Sequence, residues 1–229
     1  MKKLSLALLL FLGACSPNEI EKSDIAPSPK ENKNLQREFN LEMHQASIEE
    51  LVQMYESKER DEYQQPEKVL AYMGDLSGKK IMDIGAGSGY FSVKFAEAGA
   101  QVIAADVDTG FQNYLQKRIA KDQLEHIELR LLPYNSPKID KQEVDWVFIS
   151  NTYQYIDDRI AYFKAVKKGL KEGGQLLIID FFKKELPIGP AMDHKIEKEQ
   201  VLEELKAAGF VNFELKEELL PYQYVIKAK

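Results

Sequence analysis

The sequence predicts a doubly wound α/β fold: a mainly parallel seven-stranded sheet, helices on both faces, and an antiparallel strand from a C-terminal hairpin. Three observations predict it. Short apolar runs alternate with segments of helical period between Lys79 and Gly209, which demands crossover connections between parallel strands. The runs "VFIS" and "LLIID" are apolar without alternation, as strands covered on both faces are. The last stretch, "VNFELKEELLPYQYVIKAK", holds two extended segments around Leu220-Pro221 with no helix between them, the pattern of a hairpin at a sheet edge.

Each element has its own signal. "ASIEELVQMYES" places apolar residues at 48, 51, 52 and 55 behind Ser47, a helix with a cap. "QPEKVLAYMG" opens on Pro66 and closes on Gly74, a second helix. "KKIMDIG" is a strand ending at Gly85, and "GYFSVKFAEAG" is a helix closed by Gly99. "QVIAADV" is a strand, "GFQNYLQKRIAKDQL" a helix, and "IELRLL" and "VDWVFIS" are strands. "DDRIAYFKAVKKGLKEGG" reads as a helix with a Gly-Gly end, "QLLIIDFF" as a strand, and "KEQVLEELKAAG" as a helix closed by glycine.

The 229 residues suit one domain with an added segment. Hydrophobic residues make up 44% and charged ones 30%, a composition that allows a sizeable core. The net charge is -6 and no basic stripe is present, which points away from nucleic acid as a partner. One cysteine excludes an internal disulfide framework and a Cys-rich zinc site, and no metal constellation is apparent. That cysteine closes "MKKLSLALLLFLGAC": two lysines, an apolar run, then small residues, the layout of an export signal. The apolar run is too short to span a bilayer.

"LGAC" resembles the lipobox of bacterial lipoproteins, and the resemblance implies cleavage before Cys15 and its lipidation. Residues 1–14 are then a signal peptide, 15–45 a lipidated cysteine with a disordered tether ("SPNEIEKSDIAPSPKENKN"), and 46–229 the folded domain with its N-terminal helices. Several acyl chains on Cys15 would hold the protein on a membrane. Ser16 resembles the sorting residue for an outer membrane, so the expected place is a membrane-anchored position on the periplasmic or outer-membrane face.

The chemistry centres on "IMDIGAGSGYF". Beyond the carboxyl end of a parallel strand, glycines at 85, 87 and 89 let backbone approach a ligand closely. A dinucleotide site wants G-x-G-x-x-G, and a phosphate loop wants Gly-Lys-Ser/Thr; neither is here. Asp83 would repel a pyrophosphate and favour a ligand with positive charge. S-adenosylmethionine, with an ammonium and a sulfonium, fits that pattern. Asp106, at the end of the second strand, is placed to accept from two ribose hydroxyls; Asp108 faces the next turn.

With these residues the chain resembles class I S-adenosylmethionine-dependent methyltransferases, of Rossmann-like fold, from about Tyr55 onward. "DIGAGSG", Asp106, "VDWVFISNTYQYIDD", "LKEGGQLLIIDF" and the final hairpin carry the resemblance. A narrower one is to the small type 11 group, with "NTYHHI" after the fourth strand and a "P-x-G-P … H-R-I" loop after the fifth. Here those read "NTYQYI" and "LPIGPAMDHKI". Gln154 and Tyr155 stand where that group has two histidines, so no imidazole is there to shuttle a proton.

The resemblance implies S-adenosyl-L-methionine as cofactor. Asp83, Gly85, Ala86, Gly87 and Gly89 are expected around its methionine end, Asp83 reaching the ammonium directly or through water. Asp106 is expected on the ribose, Val107 on the adenine, Asn135 and Ser136 of "PYNSP" as further adenine contacts, and Asn151 near the sulfonium. Arg60, Tyr63 and Gln64 are expected as a lid. Tyr153, Gln154 and Tyr155 are expected to border the acceptor pocket, with His194 in a loop above it; His194 and Tyr155 are the candidate catalytic residues. His44 and His126 read as structural or exposed. The implied activity is methyl transfer by in-line displacement to a small-molecule or lipid-like acceptor. The alternative is a membrane-anchored S-adenosylmethionine or nucleoside-binding protein without catalysis.

Overall fold

The computed structural model describes residues 47–229. The expected signal peptide (1–14), Cys15 with its tether, and His44 lie outside the described residues. The described chain opens with three short helices, α1 (Ile48–Tyr55), α2 (Lys58–Gln64) and α3 (Pro66–Met73). Ser47 and Glu50 form a reciprocal capping box on α1, satisfying two N–H groups that a helix start leaves bare. Pro66 opens α3, where its missing N–H is no loss.

There follow β1 (Lys80–Ile84), α4 (Tyr90–Glu97), β2 (Gln101–Asp106), α5 (Thr109–Asp122), β3 (Ile127–Leu131), β4 (Val144–Ser150), α6 (Arg159–Gly169), β5 (Leu170–Phe181), α7 (Lys198–Ala207), β6 (Glu214–Lys216) and β7 (Gln223–Ala228). The sheet order is β3-β2-β1-β4-β5-β7-β6. The five strands β3, β2, β1, β4 and β5 pair in parallel, and β7 is antiparallel to both β5 and β6. The hairpin is present as expected, with β7 inserted so that short β6 forms the edge. Strand order reverses between β1 and β4, and the crevice beyond their carboxyl ends is where open α/β sheets hold ligands.

Side chains alternating along each strand divide the core into two layers. Met82, Ile84, Val147, Ile149 and Ile178 pack with Phe163 and Val166 of α6 and Val201 and Leu205 of α7. Ile81, Trp146, Phe148, Leu177 and Ile179 pack with Val69 of α3, Phe91 and Phe95 of α4, and Leu115 of α5. The rings of Phe91, Phe95 and Phe148 lie 4.6 to 5.7 Å apart between centroids. Among the described residues no helix is long and apolar enough to cross a membrane.

One boundary differs from the sequence expectation. The helix α6 stops at Gly169 rather than at Gly173-Gly174, and Leu170 already pairs with Val144. The N–H groups of Gln142 and Glu143 donate to the carbonyls of Lys168 and Gly169, so the helix ends with its last acceptors satisfied. Gly173 and Gly174 instead sit inside β5, where its register against β4 shifts.

Candidate functional site

Two adjoining clefts, of about 860 and 650 Å³, open beyond the carboxyl ends of β1, β2 and β4. Both are lined by Tyr55, Gly85, Gly87, Asn151, Thr152 and Tyr155, so they are two arms of one site. The first arm adds Asp106, Val107, Phe111, Leu132 and Tyr134, among others. The second adds Arg60, Tyr63, Ala86, Ser150, Gln154, Phe181 and Pro190.

Asp106 ends β2 and is 8% exposed. Its Oδ2 accepts from the Gly87 N–H at 2.8 Å and its Oδ1 from the Asp108 N–H at 2.9 Å. Each oxygen keeps a lone pair for a donor in the cleft. Burial pushes its carboxyl upward, against the backbone N–H groups that hold it down. Asp108 caps α5 through the Gly110 and Phe111 N–H groups, the turn-facing role read from sequence.

The glycine loop borders the cleft, but the N–H groups of Gly85, Ala86 and Gly87 are engaged within the protein. Gly85 and Ala86 donate to the Ala105 carbonyl at 2.8 and 3.1 Å, and Gly87 donates to Asp106. These donors are spent within the protein, so the loop offers bare backbone surface. Gly85 has φ +77°, and a Cβ there would strike the Thr152 side chain. Gly89 starts α4 at φ +85° with Leu115 where its Cβ would be; it shapes the loop from behind and lines neither arm. A pyrophosphate, which relies on free N–H donors, finds none at these three residues.

Asp83 turns away from both arms. Its side chain lies on the α4 side of the sheet, where the Ser92 hydroxyl donates to Oδ2 at 2.6 Å. It is 3% exposed, and burial pushes its carboxyl up to about 7. Of the reach expected from sequence, directly or through water, the direct form does not fit: Asp83 lines neither arm and Ser92 holds its Oδ2. Arg60 and Asp106 bear on Asp83 with opposite sign.

The helices before β1 cover the cleft. Arg60 of α2 donates Nη1 to the Tyr55 carbonyl at 3.1 Å and lies 4.1 Å from the Tyr90 ring centroid. Its Nε is buried without a hydrogen-bond partner. Among the lining residues it is the one cation, and Asp106 the one carboxylate. Glu56 accepts from Arg118 and from the Ser88 hydroxyl, both at 2.7 Å, and the Tyr90 hydroxyl donates to Asp61. Three amides close a ring: Gln64 donates to Gln223 (3.0 Å), Gln223 to Asn151 (2.5 Å), and Asn151 back to Gln64 (3.2 Å). Asn151 adopts φ +57° to take part. Arg60 and Tyr63 therefore line the second arm, whereas Gln64 latches the cover to β4 and β7.

Other expected residues fall elsewhere. Asn135 is exposed, and Ser136 sits in a turn with its N–H on the Pro133 carbonyl and its hydroxyl accepting from Lys138. Neither lines an arm of the cleft; Leu132 and Tyr134 of the same stretch line the first arm. His194 is exposed in a short 3₁₀ turn, and Pro190 is the residue that brings its loop to the second arm. Tyr153 is buried, its hydroxyl on Glu204, which Arg159 also holds at 2.7 and 3.0 Å. It is a core residue rather than a pocket border. Tyr155 and Gln154 do line the cleft. Sequence reasoning missed Tyr55, Phe111 and Thr152 as lining residues and Gln223 as a latch; position 55 was read only as part of a helical stripe, and Thr152 lay unremarked inside "NTYQYI".

Comparison with known proteins agrees with this geometry. Residues 82–178 match the family model described as "Methyltransferase domain". The ubiquinone biosynthesis O-methyltransferase of Acinetobacter baylyi is 26% identical over 106 residues, covering 46% of this chain and 44% of the relative. The cypemycin N-terminal methyltransferase of a Streptomyces species is 32% identical over 105 residues, covering 43% and 40%. The chain thus spans less than half the length of these curated relatives. A SAM-dependent methyltransferase structure from Aquifex aeolicus superposes with a TM-score of 0.73 at 24% identity, over 78% of this chain and 96% of that one. At that identity the likeness is one of fold.

Proposed function

We propose that the chain is an S-adenosylmethionine-dependent methyltransferase acting on a small-molecule or lipid-like acceptor. The observation that carries this reading is the pairing of Asp106 with an apolar first arm. A carboxylate at the strand end suits a ribose diol, and Val107, Phe111, Leu132 and Tyr134 form walls for a purine. The N–H groups of Gly85, Ala86 and Gly87, engaged within the protein, disfavour a dinucleotide, and the methyltransferase match over residues 82–178 supports the same choice.

Gly85 to Gly87 would run beside the methionine chain, and Arg60, with its unpaired Nε, would hold the methionine carboxylate. When bound, the cofactor supplies a methyl group on a sulfonium, a leaving group already activated by its charge. The protein's task is to hold a nucleophile in line, at about 3 Å from the methyl carbon. Tyr55, Tyr63 and Phe181 wall the second arm and would exclude water once the site is filled.

Isothermal titration of the purified full chain with S-adenosylhomocysteine and with NAD tests this. Binding of the first and not the second is expected; the reverse would overturn the reading.

We also infer from "LGAC" that Cys15 is lipidated and holds the chain on a membrane. Palmitate labelling lost in Cys15→Ser is the expected result, and labelling that persists would overturn it.

A further inference from the structure

Three side chains outside the cleft join its cover to its glycine loop. Glu56 closes α1, the helix that carries Tyr55. Its Oε1 accepts from the Ser88 hydroxyl and from Arg118 Nη1, both at 2.7 Å. Arg118, on α5, also donates to the Ser88 carbonyl at 3.0 Å. Ser88 stands between Gly87 and Gly89 and is 1% exposed. One carboxylate thus ties α1 to the glycine loop and to α5.

These bonds fix the position of Tyr55. Its ring lies over Gly87, where an added Cβ would stand 3.5 Å from ring carbons. It stacks on Phe111 of α5 at 5.8 Å between centroids, and its carbonyl accepts from Arg60. Tyr55 lines both arms, Phe111 the first and Arg60 the second. At the other end of α1, Ile48 lies so close to Gly110 of α5 that a Cβ there would meet it at 2.7 Å. The helix is therefore held along its length, and Tyr55 bridges the two arms.

The amide ring of Gln64, Asn151 and Gln223 attaches the cover elsewhere, through neutral groups. The Glu56 attachment is an ion pair, with side chains 27% and 19% exposed. Dissolved salt can screen a pair so placed. Glu56, Ser88 and Arg118 line neither arm. Their bonds are the same whether the cleft is filled or empty. Such bonds favour the covered form equally with ligand and without, so they cancel from the affinity. They remain in the work of uncovering the site, and hence in the rates of entry and exit.

We propose that Glu56 is a positioning residue that sets how fast the cofactor exchanges: with Ser88 and Arg118 it holds Tyr55 across the junction of the arms, and the cofactor passes when these bonds open. The proposal rests on the methyltransferase reading, which makes the first arm the cofactor's place.

The test uses the full chain and tritiated S-adenosylhomocysteine, with association and dissociation followed by rapid filtration at low and high NaCl. Glu56→Gln keeps the shape of the side chain and removes its charge. It is expected to raise both rates about fivefold and to leave Kd within about twofold. High salt is expected to raise both rates in the wild type and to leave those of Glu56→Gln unchanged. The ligand is a zwitterion without net charge, so salt changes its encounter with the protein little. Ser88→Ala, which keeps the ion pair, is expected to raise both rates by about two- to threefold. The salt comparison in the wild type needs no substitution, so it stands where a variant folds poorly. Rates unmoved by Glu56→Gln, or unmoved by salt in the wild type, would overturn the proposal. So would a weaker Kd with the association rate unchanged, the mark of a residue that contacts the ligand. Failure of the wild type to bind S-adenosylhomocysteine would instead overturn the reading beneath it.

Discussion

Asp106 carries two duties at once: it ties the glycine loop through Gly87 and presents a carboxylate to the first arm. Asp106→Ala should weaken S-adenosylhomocysteine by about 10- to 100-fold, the worth of hydrogen bonds to a charged group; titration calorimetry reads it. Gly85→Ala should destabilise the fold by about 1–3 kcal/mol through strain at positive φ and collision with Thr152. Gly85→Ala with Thr152→Ala should recover the collision and not the strain, so urea midpoints should return only part of the loss. Both residues were legible in the sequence because short-range spacing encodes them: glycines where the chain must turn, an acid at a strand end. Asp83 was legible as a residue and misleading as to direction. Its neighbours in β1 alternate between the two core layers, and that alternation sends its carboxylate to Ser92. Asn135 and Ser136 line neither arm, while Leu132 and Tyr134 of the same stretch line the first, a matter of tertiary position rather than of residue type.

The elements themselves were largely readable, since periodicity and caps announce them; Ser47 and Pro66 start their helices as expected. The end of α6 was not, because what stops it is the backbone of Gln142 and Glu143, distant in sequence from any Gly-Gly signal. The amide ring of Gln64, Asn151 and Gln223 was invisible for the same reason, since its members come from three separate elements. Removing one member leaves buried polar groups bare. Gln223→Leu should therefore cost about 1–3 kcal/mol, measured by urea denaturation. It should also raise hydrogen exchange in α2 more than in β1 or β4, because only α2 depends on the ring for its attachment to the sheet.

Across the molecule, titration of buried acids sets the response to pH. Asp83 and Asp180 both rise from an ordinary 3.8 to about 7 by burial. Between these values the folded state binds more protons than the unfolded one, so their contribution to stability falls as pH rises from about 4 to 7 and is flat above. Glu143, held down to about 2 chiefly by Arg130, acts in the opposite sense, its contribution being lost as pH drops below 4.5. Urea midpoints across pH 4 to 7 should fall for the wild type relative to Asp83→Asn/Asp180→Asn, which lacks the slope; parallel curves would contradict it. Tyr55, Glu56, Arg60, Asp61 and Gln64 all precede Lys80, the first residue of the sheet. The roof over the site can thus lift and reseat without breaking a single strand pairing. A ligand can thereby reach the cleft through local opening of these helices alone, with the sheet left whole.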